Sequence, residues 1–439
     1  MKLFQQMLVA GASLRMIAPI AAQASDIVNI EEINSYSTSR KKTSRLDSKT
    51  FINEVSEEIA NLKGRIDGLE TRQNNFEAGS FSDTTSLRGK AVFAIGAIDH
   101  PEADSAAEDG VDRESLKAQY QYTMDLNTSF TGDDNLYVRL RTGNGANSAG
   151  DSLVWGSKTY GTYLGSDSSK YADKLAVDKI WYTFPVGERN TFWVGPKIEN
   201  YYMHATAPSI YKPTLKQFAL GGNGAAYGAS TKSGAGWAFN TDNGFAVSSN
   251  VVSSSDKLGI NQAETSWATQ VGYTQPQYSA SLIVNQKFNG WEDTYYTTTK
   301  GHYRTADGGS GTKNANSTNY GLRAWWRPAE SGSATPAISA GYDISTIDIT
   351  DAAKDETSAW FVGLNWSDMF QADDLIGLAF GQTQTREDET VDPFAWEAYY
   401  QILVNDSVTV RPTIFGGSER KGTANEDMTG FVVETTFRF

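Results

Sequence analysis

The sequence predicts an all-β fold: a transmembrane antiparallel β-barrel of about 16 strands, within a range of 14–18, preceded by a short N-terminal coiled-coil helix. Three observations predict it. In the last ten residues, Phe431, Val433, Thr435, Phe437 and Phe439 share one face of a strand, and Val432, Glu434, Thr436 and Arg438 share the other. A strand has a side-chain period of two, so one face is apolar and the other largely polar. That alternation, ending on an aromatic, is the pattern of a closing barrel strand in an outer membrane. Second, Leu116–Phe130 alternates cleanly. Leu116, Ala118, Tyr120, Tyr122, Met124, Leu126 and Phe130 lie on one face, and Lys117, Gln119, Gln121, Thr123, Asp125, Asn127 and Ser129 on the other. At ~3.3 Å per residue this is long for a soluble strand and suits a tilted span. Third, the connections between strands sort by length, long on one side and short on the other.

Bulk composition agrees. The chain has 439 residues, of which 39% are hydrophobic, with 40 glycines, 21 Tyr, 20 Phe and 11 Trp. No uninterrupted apolar run approaches the ~20 residues of a transmembrane helix, which excludes a helical membrane protein. Cysteine is absent, which removes disulfides and thiolate metal sites. A net charge of −14 argues against nucleic acid as a partner.

Residues 1–24 read as a signal peptide, with Lys2 at the positive start, an apolar stretch from Met7 to Ala22, and Ala22-Gln23-Ala24 as the cleavage site. Residues 25–47 read as a flexible linker carrying the basic cluster Arg40, Lys41, Lys42 and Arg45. Residues 48–78 read as a periplasmic coiled-coil helix. Ile52, Val55, Ile59, Leu62, Ile66, Leu69, Gln73 and Phe76 follow a 3-4-3-4 spacing, Ser48 or Thr50 can cap the start, and Gly79-Ser80 ends it. Three and a half heptads need a partner. Ile at a with Leu at d favours a dimer on its own.

Residues 85–439 read as the barrel. Its strands are expected at 88–98, 117–131, 135–142, 176–185, 190–197, 234–240, 244–252, 265–274, 277–287, 318–327, 337–344, 358–366, 374–382, 395–404, 407–415 and 428–439. The odd-numbered connections are long, and the even-numbered ones, such as Val186–Arg189 and Gln275-Pro276, are mostly tight turns. A further hairpin at 213–219 and 224–230 would give eighteen strands; sixteen is preferred. First and last strands must meet, so 428–439 should pair with 88–98. Phe437 and Phe439 then face lipid at the periplasmic rim.

Enzymatic chemistry finds no support. His100, His204 and His302 are about a hundred residues apart, and no phosphate-cradling glycine motif follows a strand and opens a helix. No metal or cofactor is implied. The carboxylates from Asp99 to Glu114 and at Glu387-Asp388-Glu389 read as solvated external loops.

Sorting charges by strand face is more informative. Apolar residues face lipid, so their odd-offset neighbours face the lumen. This places Arg139, Arg141, Lys179, Lys197, Arg323, Arg327, Arg411 and Arg438 inward, against inward Asp125, Asp343, Glu397 and Glu434. The lumen inventory is therefore basic in an acidic protein. Such a wall favours anions and polar solutes rich in acceptors. The alternative is that inward arginines pair with inward carboxylates and brace the wall.

Signal, short coiled coil, and a barrel carrying Arg139-Leu-Arg141-Thr-Gly-Asn-Gly145, Val194-Gly-Pro-Lys197 and a terminal aromatic together resemble the cyanobacterial outer-membrane porins, relatives of the carbohydrate-selective OprB-type porins. The resemblance spans Phe51 to Phe439. It implies a homotrimer in the outer membrane and passive diffusion of small hydrophilic solutes: inorganic ions, iron species, small anions and sugars. It also implies a C-terminal aromatic read by the barrel-assembly machinery. Members usually carry an S-layer-homology domain before the coiled coil; residues 25–47 are too short for one, which weakens the case for cell-wall contact. The resemblance further implies that the third long loop, 198–233, folds into the barrel. Its Tyr201, Tyr202, His204, Tyr211, Lys212 and Lys216 are the expected constriction residues, and Pro208 and Pro213 stiffen it. A competing function is a structural anchor whose coiled coil spaces or tethers the membrane to the cell wall. A sixteen-strand bore argues for a channel, because a barrel that wide leaves an aqueous lumen.

Overall fold

The computed structural model describes residues 84–99, 116–144, 173–228, 231–254, 263–289, 291, 316–348, 355–419, 422, 424 and 427–439. The expected signal, linker and coiled-coil helix lie outside these residues, as does most of the loop from Asp99 to Glu114.

Sixteen strands form one closed barrel in sequence order. They are β1 (Thr85–Asp99), β2 (Lys117–Thr128), β3 (Asn135–Gly143), β4 (Ala176–Val186), β5 (Asn190–Ile198), β6 (Lys232–Asn240), β7 (Phe245–Ser253) and β8 (Thr265–Gln275), then β9 (Tyr278–Phe288), β10 (Asn316–Trp326), β11 (Ala337–Asp348), β12 (Glu356–Ser367), β13 (Leu375–Arg386), β14 (Phe394–Asn405), β15 (Val408–Ser418) and β16 (Met428–Arg438). β16 closes antiparallel on β1, with Lys90 opposite Arg438, Ile95 opposite Val433 and Asp99 opposite Thr429. β11 and β13 run four residues beyond their expected ends, to Asp348 and Arg386. The alternative hairpin at 213–219 and 224–230 does not form. A 3-10 segment at Lys216–Gly221 and an α-turn at Gly224–Tyr227 stand there instead.

Alternation sets the two faces. In β12, Thr357, Ala359, Phe361, Gly363 and Asn365 are buried inward, while Trp360, Val362, Leu364 and Trp366 stay partly accessible on the outside. The outer band shows large apolar side chains, among them Leu322, Val194, Trp267 and Tyr342. That is the surface hydrocarbon requires, since every backbone polar group of a closed barrel is already paired.

Local chemistry closes the short turns. Gly244 takes φ +92° where Thr241 N–H returns to Phe245 O at 2.9 Å, a conformation open to glycine at little cost. Two other turns use an aspartate. Asp134 accepts the N–H groups of Phe130 and Thr131 and the Tyr182 hydroxyl. Asp374 accepts the N–H groups of Met369, Phe370 and Gln371 and the Tyr400 hydroxyl. In both, a carboxylate satisfies turn donors that would otherwise lack partners.

Candidate functional site

The connection from β5 to β6 turns inward and lies along the barrel's inner face. Its two ends are clamped together. Lys179 Nζ sits 2.9 Å from Glu199 Oε2 and donates to Thr231 Oγ1 at 3.2 Å; Thr231 donates to Glu199 Oε1 at 2.6 Å. Beyond the clamp, Asn200 Nδ2 donates to Asn250 Oδ1 and Ser266 O. Thr206 N–H reaches Gln270 Oε1 at 2.9 Å, and Tyr211 N–H reaches Ser339 Oγ. The tip is held by Glu397, which accepts from Tyr211 Oη (2.8 Å), Thr214 N–H (3.2 Å) and Leu215 N–H (2.7 Å). The chain then returns past β11, where Asn223 N–H donates to Asp343 Oδ2, and past β9, where Asn285 Nδ2 donates to Ala226 O. The loop's hydrogen bonds thus fall on strands from β3 round to β15.

The inner wall is built to receive it. Beneath the loop, several inward positions are glycine or apolar, set among the polar side chains that hydrogen-bond it. A Cβ on Gly341 would sit 1.7 Å from Gly221 O, so only glycine admits the loop backbone. Tyr211, Leu215 and Phe218 pack with Phe361, Ala379, Tyr399, Phe415 and Val432 into an apolar cluster inside the barrel. A second cluster joins Tyr137, Trp181, Ile198 and Met203 at the loop's neck. There Tyr137, Trp181, Tyr202 and Tyr201 form a continuous run of mutually tilted rings, with successive ring centroids 4.2, 4.7 and 4.2 Å apart.

The loop divides the expected pore-lining residues into groups. Lys179 and Arg323 point inward but are buried beneath the loop. Arg323 pairs with Asp343 at 2.8 Å, both side chains 1% exposed, and donates to Leu220 O. These two brace the loop and do not line free lumen, a correction to their expected role. Arg411 stacks 4.5 Å over Tyr399, bonds Gln401 and donates to Lys212 O and Pro213 O. Arg139 is held by Asp125 at 2.7 Å and reaches Tyr202 Oη at 3.4 Å. Arg141 lies 3.5 Å from Asp178. Glu434 is buried opposite Arg411 in the β15/β16 ladder. Arg438 is exposed opposite Lys90.

Two positions depart further from expectation. Lys197 does not face the lumen. It pairs in register with outward Ile180, is exposed, and donates to Val177 O at 2.8 Å. An irregularity in the β4/β5 ladder sets Ile180 opposite Lys197 but Tyr182 opposite Val194, three residues against two, which inverts the face of the residues beyond Val194. Arg327 lies just past β10 at the short-turn rim, donating to Pro276 O at 2.7 Å over the Trp325 ring. In the loop, Lys212 is exposed, Lys216 opens the 3-10 segment, and His204 sits edge-on to Tyr227. At the closure, Phe439 exchanges backbone bonds with Gly89 and stacks on Tyr122, and Phe437 meets Phe93.

Sequence reasoning missed Lys90, Asp178 and Glu199. In β1 both faces are apolar around Lys90, which hides its direction. Asp178 is an extra residue where Arg139 pairs with Lys179 but Leu140 pairs with Val177. Glu199 lies one residue beyond β5, where strand parity carries no information.

A closed sixteen-strand barrel with an inward loop is a channel architecture, and the family comparison decides which. The model for the carbohydrate-selective porins of the OprB family matches residues 44–437. This chain belongs to the OprB family. It is thereby an outer-membrane channel of the porin kind. An uncharacterised protein of Nostoc sp. is 26% identical over 443 residues, covering 88% of this chain and 71% of that protein. An uncharacterised protein of Synechocystis sp. is 22% identical over 419 residues, covering 83% and 70%. Among solved structures, Pseudomonas putida OprB superposes with a TM-score of 0.56 at 10% identity, covering 84% of this porin and 96% of that chain. An anion-selective porin from Comamonas acidovorans gives 0.53 at 9% identity, covering 81% and 99%. At such identities the likeness is one of fold.

Proposed function

We propose that this OprB-family porin is a passive diffusion channel for small hydrophilic solutes, narrowed by the loop at 198–233 and lined by a wall that is basic on balance. The observation that carries the reading is the Glu397 anchor: a buried carboxylate on β14 accepting three donors from a loop that starts at β5. A loop fastened on the opposite wall reduces the bore, as an untethered external loop does not.

The basic character is graded. Arg139, Arg141, Lys179 and Arg323 each face a carboxylate and Arg411 stands opposite Glu434, so their net field is small, while the exposed Arg438 and Lys90 add positive charge. The expected selectivity is therefore a modest preference for anions and for neutral solutes rich in hydrogen-bond acceptors, sugars among them, in keeping with the family's description. By the same resemblance we infer a homotrimer, and a Phe439 recognised by the assembly machinery.

Planar-bilayer recording tests this. A chain lacking 201–216 should conduct better than the intact one, and the intact channel should show an anion-directed reversal potential in a salt gradient. Unchanged conductance rejects the loop's role, and a reversal potential near zero rejects the basic wall.

A further inference from the structure

We propose that the inner wall at β16, β1 and β3 carries a binding station for a tetrahedral oxyanion, phosphate or a phosphate ester, formed by Arg438, Lys90 and Arg141. The proposal rests on the channel reading and adds a ligand class to it.

The ladder places these residues together. Lys90 is directly opposite Arg438 across β1 and β16. Thr123 is directly opposite Arg141 across β2 and β3. β1 and β2 are neighbours in the barrel. Directly opposed residues on antiparallel strands share a face, and that face is the inner one: Lys90 has the parity of buried Val92 and Ala94, and Arg438 that of buried Val432 and Glu434. The charged neighbours Lys90 feels are Arg141, Glu434, Arg139 and Arg438, three cations and one carboxylate.

Exposure decides the sign of the surface. Lys90 and Arg438 are exposed, whereas Glu434 and Asp178, the nearby acids, are buried. Arg139 is cancelled at short range by Asp125. A solute entering this sector meets ammonium and guanidinium groups first. Arg141 retains capacity: its contact to Asp178 is long, at 3.5 Å, and its buried Nε has no hydrogen-bond partner among the described residues. Guanidinium forks flanking an ammonium match a tetrahedral oxyanion with several acceptor oxygens better than a halide, which offers no directional lone pairs. A neutral sugar satisfies the hydrogen bonds without the charge.

The experiment uses the full-length porin in planar bilayers with chloride as carrier. Inorganic phosphate, glucose 6-phosphate and glucose are added separately, and the half-blocking concentration of each is read. Phosphate and glucose 6-phosphate should both block, at concentrations at least tenfold below glucose. Lys90→Gln and Arg438→Gln should each raise the half-blocking phosphate concentration tenfold or more. Lys90→Arg should retain block, and Arg189→Gln, in the exposed β4/β5 turn, should leave it unaltered. Block by phosphate but not by the ester assigns the free anion; the reverse assigns the ester. An anion-preferring wild-type channel that neither compound blocks overturns the station and leaves the channel reading standing. A full-length chain that forms no conducting channel overturns both.

Discussion

The phenolic hydroxyl of Tyr211 donates to Glu397 at 2.8 Å, joining residues 186 positions apart across the inside of the barrel. The two N–H groups beside it, of Thr214 and Leu215, converge on the same carboxylate. Replacing Glu397 by alanine leaves three buried donors without an acceptor, at about 1–3 kcal/mol each. The barrel ladder is untouched, so the loop is what yields. Glu397→Ala should form channels of higher and noisier single-channel conductance. A conductance trace identical to wild type would mean that the loop does not depend on this anchor.

At Gly341 the loop backbone lies against the wall, where an added Cβ would overlap the Gly221 carbonyl oxygen. Gly341→Leu adds a side chain where a Cβ alone would overlap the Gly221 carbonyl. β11 keeps its hydrogen bonds, because the substitution projects into the lumen. The expected result is a folded barrel with a displaced loop, read as raised conductance together with protease sensitivity within 209–223. Retained wild-type conductance and protection would show that the wall, and not the loop, gives way.

His204 makes the loop sensitive to acid. Burial pushes its imidazole down to about 4 from 6.5, against a smaller opposing effect of the Tyr227 carbonyl. Its surroundings enforce the neutral form. Asn250 Oδ1 is occupied by Asn200 Nδ2, so Asn250 offers Nδ2 to His204 Nδ1, and Nε2 is left to face Tyr227 O. A proton added at Nδ1 meets a donor. Because the docked pKa lies below the free value, docking is fully supported above about 6.5 and weakens as pH falls toward about 4. Wild-type conductance should rise across that window, and His204→Gln should flatten the rise. An identical pH profile in the variant would exclude the histidine.

Charge substitutions should sort by face. Asp125→Asn removes the carboxylate that holds Arg139 and should move the reversal potential further toward anions. Lys197→Glu reverses a charge on the outer face and should leave it unmoved. A shift from Lys197→Glu comparable with that from Asp125→Asn would place Lys197 in the lumen after all.

The residue pattern alone points to the barrel: a preferred count of sixteen strands, their order, the separation of long connections from short turns, and the closure of β16 on β1. A local rule is enough for this. Each strand residue faces either lipid or the interior, and a period of two reports which, as Phe437 and Arg438 do on adjacent positions. The rule placed Arg323 and Arg411 on the inner face, where their strands run without slippage, and Arg139 keeps its face although β4 carries an extra residue beside it. It failed at Lys197, because the ladder irregularity at Gly195-Pro196, residue types that mark bulges, changes a parity that a strict period of two carries straight through. Long-range packing, invisible to that rule, settles which inward charges meet the lumen. Arg323 and Arg438 have the same pattern around them, yet one is sealed against Asp343 under the loop and the other is exposed beside Lys90. Strand periodicity reports only which face a residue occupies. Whether that face meets water or a loop from distant strands is a matter of docking, held by Glu397, Asp343 and a wall of glycines that in sequence look like ordinary strand interruptions.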